Sequence, residues 1–137
     1  MDFKLKDISL FYHDGKNDKE IFSEVNISFA ARDKVVFLGP SGTGKSSMLY
    51  IMSGLRKPTS GQVIYNGQDL TKTPDLASVR YSDFGFVFQR QYLIPYLNVL
   101  ENICIARNDL NLKEDAMKLL DLMGMKDLMY KKPYELS

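Results

Sequence analysis

The stretch GPSGTGKS, residues 39–46, contains every fixed position of the pattern G-x-x-x-x-G-K-[ST]. It follows the continuous apolar run VVFLG at 35–39, which is typical of a strand buried on both faces. Residues 44–55, which begin inside the pattern, predict a helix that stops near Gly54 and Pro58. The pattern thus lies between a predicted buried strand and a predicted helix, and this order indicates an α/β fold.

Each residue type in this loop suits a chain of phosphates. Gly42 and Gly44 allow backbone geometry that a Cβ would hinder, so the loop can curl closely round a phosphate. The backbone N–H groups form an anion nest, and the positive end of the helix dipole points at the same place. Lys45 can reach the β- and γ-phosphates, and the Ser46 hydroxyl can ligate Mg²⁺. The competing interpretation is a glycine-rich turn that contains Lys-Ser by chance.

Composition excludes several classes of protein. The chain has 137 residues, of which 45% are apolar and 26% charged, as expected of a soluble globular domain. Its net charge of +1, from 18 basic and 17 acidic residues, argues against a general nucleic-acid binder. A lone cysteine, Cys104, cannot form an internal disulfide and fits a reducing compartment. Without a signal peptide or a run of about 20 apolar residues, the sequence predicts a cytoplasmic or cytoplasm-facing protein.

The rest of the sequence predicts a β-rich first part and a helical second part. Alternation or apolar runs predict strands at 3–12, 21–30, 62–67 and 83–89. Residues 13–20 are polar and predict a hairpin loop, and Asn66-Gly67 is a strong turn signal. After Gln89 the pattern predicts helices from about Asn98 and over 113–125, with Ala116, Leu119, Leu120 and Met123 at helical spacing.

Three stretches carry a resemblance to the ATP-binding subunits of ABC transporters, and the resemblance extends over nearly the whole chain. SGTGKSSMLYIMSGLRKPTSGQVIYNGQDL (41–70) is similar to that family's phosphate loop, helix and following hairpin. FGFVFQ (84–89) looks like its strand leading to the Q-loop, with Gln89 in the glutamine position. YLIPYLNVLENI (92–103) is similar to the lipoprotein-release, macrolide-efflux and FtsE-like branch. Tyr12, 27 residues before Gly39, falls where the family has an aromatic that stacks on adenine.

The resemblance implies a site for ATP and Mg²⁺. Its nucleotide-binding residues would be Tyr12, Gly39, Pro40, Ser41, Gly42, Thr43, Gly44, Lys45, Ser46, Ser47 and Gln89. Lys45 and Gln89 would be the catalytic residues present, and Ser46 and Gln89 the metal ligands. Two departures are small: Ser47 stands where threonine is common, and Phe11 is a competing aromatic beside Tyr12. Gln89 could also be an ordinary polar residue at a strand end, and Tyr12 a half-buried strand end.

The resemblance also implies an incomplete ABC ATPase domain. Residues 1–89 would be a P-loop NTPase core with an antiparallel β subdomain, and 90–137 the exit from the Q-loop with a partial α-helical subdomain. PYELS (133–137) looks like the approach to the family's LSGGQ signature, with Leu136 and Ser137 as its first letters. The expectation is that the Walker B aspartate, the catalytic glutamate and the switch histidine are absent. The chain alone would then bind nucleotide and hydrolyse it negligibly.

The family's partners follow from the same resemblance. It implies a membrane-spanning permease subunit and a second ATP-binding subunit, with no nucleic acid, and a peripheral location at the inner face of the cell membrane. The loop 92–97 would be either core or part of the surface that receives the permease. The branch favours export, extraction of lipids or peptides, or a mechanical role at the envelope.

Three alternatives remain at this stage. A naturally short, non-hydrolysing nucleotide-binding module shares every motif. A DNA-maintenance ATPase of the coiled-coil type would require a heptad segment and a basic surface, which 90–137 lacks. A P-loop kinase would not need Tyr12, the PTSGQV hairpin and FVFQ in this order.

Overall fold

Two long strands form a hairpin at the start of the chain. β1 (Phe3–Asp14) and β2 (Asn17–Phe29) pair antiparallel in this computed structural model, which describes residues 2–15, 17–90, 92–105 and 112–136. Both strands predicted here are confirmed. The predicted hairpin loop over 13–20 is wrong, because pairing continues to Asp14 and Asn17. Strand pairing satisfies backbone N–H and C=O groups whatever the side chains are, so polar residues extend a solvent-exposed ribbon.

The hairpin continues into a four-stranded antiparallel sheet in the order β2-β1-β3-β4. β3 (Ser60–Tyr65) pairs with β1, and the two-residue β4 (Gln68–Asp69) pairs with β3. Between them Asn66 and Gly67 both have positive φ, 48° and 82°, as a two-residue hairpin turn requires. The predicted turn and the strand before it are therefore confirmed, although the strand begins and ends two residues earlier than predicted.

The helix α1 (Lys45–Met52) and the sheet share one apolar core. Met48 and Ile51 on the helix contribute to it, which confirms the helix predicted after the glycine-rich loop. The buried members of this cluster are Leu5, Ile8, Leu10, Met48, Ile51, Val63, Tyr65 and Leu70.

Two predicted strands are wrong. Neither 35–39 nor 83–89 belongs to a strand or a ladder in the described part of the chain. Val36 and Leu38 are 75% and 88% exposed, and Val87 is fully exposed. Apolar content alone cannot form a strand, because a strand is stabilised by hydrogen bonds to a neighbouring strand.

A helix that the sequence did not predict, α2 (Leu76–Asp83), precedes the second of these segments. None of its residues is fully buried, although Leu76 and Val79, three positions apart, pack partly buried against the core, so its hydrophobic pattern is weak. The sequence nevertheless contains a signal for its start, because Asp75 is a favourable N-cap residue. Its side chain accepts a hydrogen bond from the backbone N–H of Ser78.

The second part of the chain is helical, as predicted. α3 (Val99–Cys104) begins with a reciprocal capping box between Asn98 and Glu101. α4 (Leu112–Leu122) is followed by Gly124 at φ 68°, where a left-handed residue ends the helix. Two short 3₁₀ helices follow, Lys126–Leu128 and Pro133–Glu135.

A second apolar cluster joins these helices. Its buried members are Leu100, Ala116, Leu120 and Met129. On α4 the predicted apolar face divides, because Ala116 and Leu120 are buried whereas Leu119 and Met123 are exposed. The helix therefore buries a narrower stripe than its sequence suggested.

The chain divides into two compact units, Met1–Gly85 and Phe86–Ser137. The predicted division into a nucleotide-binding core at 1–89 and a partial helical subdomain at 90–137 stays a prediction. Among the described residues, no helix has both the length and the apolar character needed to cross a membrane. Ser137, the last residue of the predicted signature approach, lies outside the described residues.

Candidate nucleotide-binding site

The glycine-rich loop leads directly into α1. Gly42 and Gly44 have φ of 84° and 88°, a left-handed conformation that L side chains rarely adopt. Gly44 is also the residue before the helix, and the Met48 N–H donates to its carbonyl over 2.8 Å. A Cβ at Gly44 would lie 2.5 Å from Ile21 Cγ2, so the loop packs closely against β2. Glycine is required at Gly44 for both backbone conformation and space.

Lys45 lies across its own loop. Its Nζ donates to the carbonyl oxygens of Gly39 and Pro40 over 2.9 and 2.6 Å. The Thr43 hydroxyl donates to the same Pro40 oxygen over 2.9 Å. A bound phosphate would offer the ammonium group charged oxygens in place of these neutral carbonyls, and charge-assisted bonds are the stronger kind. The loop thus holds its cation beside the place where the helix begins.

Tyr12 stands beside α1 on the same unit as the loop. Its phenolic oxygen accepts a hydrogen bond from Arg56 Nη1, and the Arg56 Cζ lies 4.5 Å from the ring centroid. The bond from Arg56, and a second side-chain hydrogen bond with Ser47, hold the pKa of Tyr12 below its ordinary value of 10.0. Ser47 follows the loop directly. Tyr12 and the glycine-rich loop therefore lie in the same compact unit, and Arg56 links Tyr12 to the segment that follows α1.

The competing aromatic, Phe11, does not share this position. Successive side chains of a strand point to opposite faces, and Tyr12 follows the buried Ile8 and Leu10 at alternate positions on the face that packs against α1. Phe11 alternates with them, and its N–H donates to the Thr59 hydroxyl over 3.0 Å. The geometry favours Tyr12 as the aromatic nearer the loop.

Gln89 belongs to the second unit and is exposed. It follows a segment in which the rings of Phe86 and Phe88 stack with their centroids 5.6 Å apart. Phe88 also meets Tyr92 edge to face at 5.0 Å. The role of Gln89 at the nucleotide stays a prediction.

The loop 92–97 is organised by one side chain that sequence analysis missed. The Asn102 amide oxygen accepts from the Ile94 N–H over 2.7 Å, and its nitrogen donates to the carbonyls of Ile94, Leu97 and Asn98 over 3.0–3.1 Å. Tyr92 and Tyr96 are 70% and 73% exposed. The loop is thus fixed in shape while both of its tyrosines remain at the surface.

Two cavities differ in their relation to the predicted nucleotide residues. One, of about 740 Å³, lies in the second unit and includes none of the predicted nucleotide residues. The other, of about 240 Å³, is lined by apolar side chains that include Phe22 and Met48, and also by Thr43, Gly44 and Lys45 of the loop. Among the described residues no cluster of three or more His, Cys, Asp or Glu side chains could hold a metal ion. The Ser46 hydroxyl is an exposed oxygen in the first turn of α1 and fits a Mg²⁺ ligand by its chemistry.

Arg56 is the other residue that sequence analysis missed. It lies 44 residues from Tyr12 in the chain, and no local pattern links the two. The available signal was the position of an arginine just after the helix that begins at the loop.

A glycine-rich loop that opens a helix, with a lysine at the first helical position, defines a P-loop nucleotide-binding protein. A family model for the ABC transporter matches residues 22–137, and the chain therefore belongs to that family of ATP-binding proteins.

Relatives agree with this assignment. The lipoprotein-releasing system ATP-binding protein LolD of Idiomarina loihiensis is 32% identical over 141 residues, which are 98% of this chain and 62% of the relative. LolD of Acinetobacter baylyi is 37% identical over 140 residues, 96% of this chain and 61% of the relative. A Staphylococcus haemolyticus relative named for hemin import, HrtA, is 34% identical over 143 residues, 100% of this chain and 65% of the relative.

Solved structures agree as well. The dimeric ATP-binding cassette MJ0796 bound to ADP and Pi superposes with a TM-score of 0.90 at 32% identity, over 98% of this chain and 63% of that one. The predicted fold class, a P-loop core with an antiparallel β subdomain and part of a helical one, is confirmed by this likeness. The chain spans less than two thirds of the length of these relatives.

Proposed function

We propose that this chain is the ATP-binding part of an ABC transporter subunit and that it binds ATP with Mg²⁺ at residues 39–47. The observation that carries the proposal is the fold of the loop, in which Gly42 and Gly44 at positive φ lead into α1 with Lys45 at its first position. The match of the family model to residues 22–137 supports it.

Each residue has a role in this proposal. The loop N–H groups and Lys45 hold the phosphates, and Ser46 ligates Mg²⁺, which draws charge from the phosphate oxygens when it is bound. Tyr12, a residue that is 42% exposed, stacks on adenine through its ring. Gln89 acts as a further metal ligand or orients the attacking water.

Coupling to a membrane partner and pairing with a second ATP-binding subunit are part of the same proposal. The dimeric form of the MJ0796 cassette and the LolD relatives support it. The loop 92–97, which Asn102 anchors and which exposes Tyr92 and Tyr96, is the proposed contact for the permease. Export or extraction from the envelope is the proposed direction, resting on the LolD relatives.

Hydrolysis by the chain alone is proposed to be negligible. Phosphoryl transfer to water needs Mg²⁺, a positioned nucleophile and charge stabilisation together. Residues 39–47 contain no acidic side chain that could orient a water. The loop therefore supplies binding and part of the charge stabilisation.

Calorimetric titration with Mg-ATP tests the proposal. Lys45→Ala should weaken binding roughly 10- to 100-fold, because a charge-assisted bond to phosphate is lost. Lys57→Ala is the matched control, since Lys57 is an exposed lysine outside the loop, and it should bind as the unmodified chain does. Equal binding by both variants would contradict the proposed site. Release of phosphate that needs both Mg²⁺ and Lys45 would contradict negligible hydrolysis.

A further inference from the structure

Arg56 makes two contacts with Tyr12 at once. Its guanidinium lies over the ring, with Cζ 4.5 Å from the centroid, and its Nη1 donates to the phenolic oxygen. A cation within about 6 Å of a ring centroid is attracted by the electrons of the ring face. One face of the Tyr12 ring is therefore covered by a protein cation.

The segment that presents Arg56 is held to β1 by its backbone. The Arg56 N–H donates to the Tyr50 carbonyl over 3.0 Å at the end of α1. Three residues later the Thr59 N–H donates to the Ser9 carbonyl over 2.8 Å, and the Thr59 hydroxyl accepts from the Phe11 N–H over 3.0 Å. These bonds hold the segment after α1 against the strand that bears Tyr12. Arg56 is therefore presented to the ring from a fixed backbone.

Tyr12 is thereby tied to the segment that follows α1. Arg56, beyond the last turn of the helix, covers one face of the ring and donates a hydrogen bond to the phenolic oxygen. An aromatic ring has two faces, so one remains for a base. The helix α1 begins at the phosphate loop and ends before Arg56, so it sets the distance between the free face of the ring and the loop.

We propose that Arg56 is a positioning residue for the base of the nucleotide: it holds the Tyr12 ring at the distance from the phosphate loop that an adenine base needs. This inference rests on the proposed function, because it takes the loop as the phosphate site and Tyr12 as the stacking residue. Arg56 would act on the base through Tyr12 and would not affect the binding of the phosphates.

Two probes separate base from phosphate. Calorimetric titration of the 137-residue chain with Mg-ATP and with Mg-tripolyphosphate, which lacks the base, measures each part. Arg56→Ala should weaken ATP binding roughly two- to fivefold, the size of a cation–π contact at an exposed site, and leave tripolyphosphate binding unchanged. Arg56→Lys keeps the charge without the planar stack and should fall between the two. Lys57→Ala, which removes the neighbouring cation, should change neither.

A double variant completes the test. In a Tyr12→Ala background, Arg56→Ala should have no further effect on ATP binding, because the residue acts through the ring. Equal losses for ATP and tripolyphosphate would overturn the inference in favour of a general charge effect. Tighter ATP binding by Arg56→Ala would overturn it by showing that Arg56 competes with the base. If the unmodified chain bound neither probe, the proposed function would fail first, and the inference with it.

Discussion

Strand β1 and the segment 35–38 both contain aliphatic residues, but these residues have opposite environments. Ile8 and Leu10 on β1 are 0% and 2% exposed, whereas Val36 and Leu38 are 75% and 88% exposed. β1 has a hydrogen-bonded neighbour on each side, and 35–38 has no ladder within the described residues. The difference shows that β-branched and aliphatic residues make a strand only where another strand satisfies their backbone.

The same comparison holds at 84–88, with one refinement. Phe84 packs against the core of the first unit, while Val87 is fully exposed. Partial burial of one ring is thus not enough to define a strand. Side-chain burial and backbone pairing are separate requirements, and β1 meets both.

The largest effect is expected for a substitution in the buried part of β1. Ile8→Ala removes methyl groups from the core and should lower the free energy of unfolding by about 2–5 kcal/mol. Val36→Ala, the matched control at an exposed position, should change it by less than about 0.5 kcal/mol. Urea unfolding followed by circular dichroism measures both. A loss at Val36 comparable to that at Ile8 would show that 35–38 is buried in solution.

The second prediction concerns the glycine-rich loop, which follows the exposed segment 35–38. Gly42→Ala and Gly44→Ala share the strain of a positive φ, about 1–2 kcal/mol. Only at Gly44 does the new Cβ meet Ile21, at 2.5 Å, so this variant should be destabilised by about 1–3 kcal/mol more. Thermal unfolding compares the pair, and equal stability of the two variants would contradict the packing of the loop on β2.

The third prediction concerns the loop 92–97, which does not pair with a strand and is held by the Asn102 side chain. Asn102→Ala removes all of the amide's bonds to the loop 94–98 and should lower stability by about 1–3 kcal/mol. Asn102→Asp keeps the acceptor for the Ile94 N–H and loses the donors, so it separates the two contributions. Urea unfolding measures these variants, and an unchanged midpoint for both would show that the loop needs no side-chain anchor.

The smallest effect concerns pH at the start of α2. The Ser78 hydroxyl and the Ser78 backbone N–H both donate hydrogen bonds to the Asp75 carboxylate. These bonds, the hydroxyl bond having the larger effect, lower the pKa of Asp75 below its ordinary value of 3.8. A depressed carboxyl pKa stabilises the fold above the unfolded-state value and loses that contribution as pH falls through the folded-state value. Asp75→Asn keeps a good cap and should lose less stability than the unmodified chain between about pH 5 and pH 2. Identical acid-unfolding curves would contradict this role for Asp75.

Local chemistry made much of the molecule predictable. The pattern at 39–46 and the following helix, the Asn66-Gly67 turn and the helix that starts at Asn98 all depend on neighbouring residues, and each forms where the sequence indicates. The strands at 35–39 and 83–89 were wrongly predicted because a buried strand depends on partners elsewhere in the chain. Arg56 was missed for the same physical reason, since its contact with Tyr12 joins residues that are distant in sequence.

The most direct test of the account is hydrogen–deuterium exchange with and without saturating Mg-ATP. Binding of Mg-ATP should slow the exchange of the backbone amides at 41–47, because these N–H groups turn to the phosphates. The exposed segment 35–38 should exchange rapidly with and without the nucleotide. Unchanged exchange at 41–47 in the presence of saturating Mg-ATP would contradict the central claim that this loop is the nucleotide site.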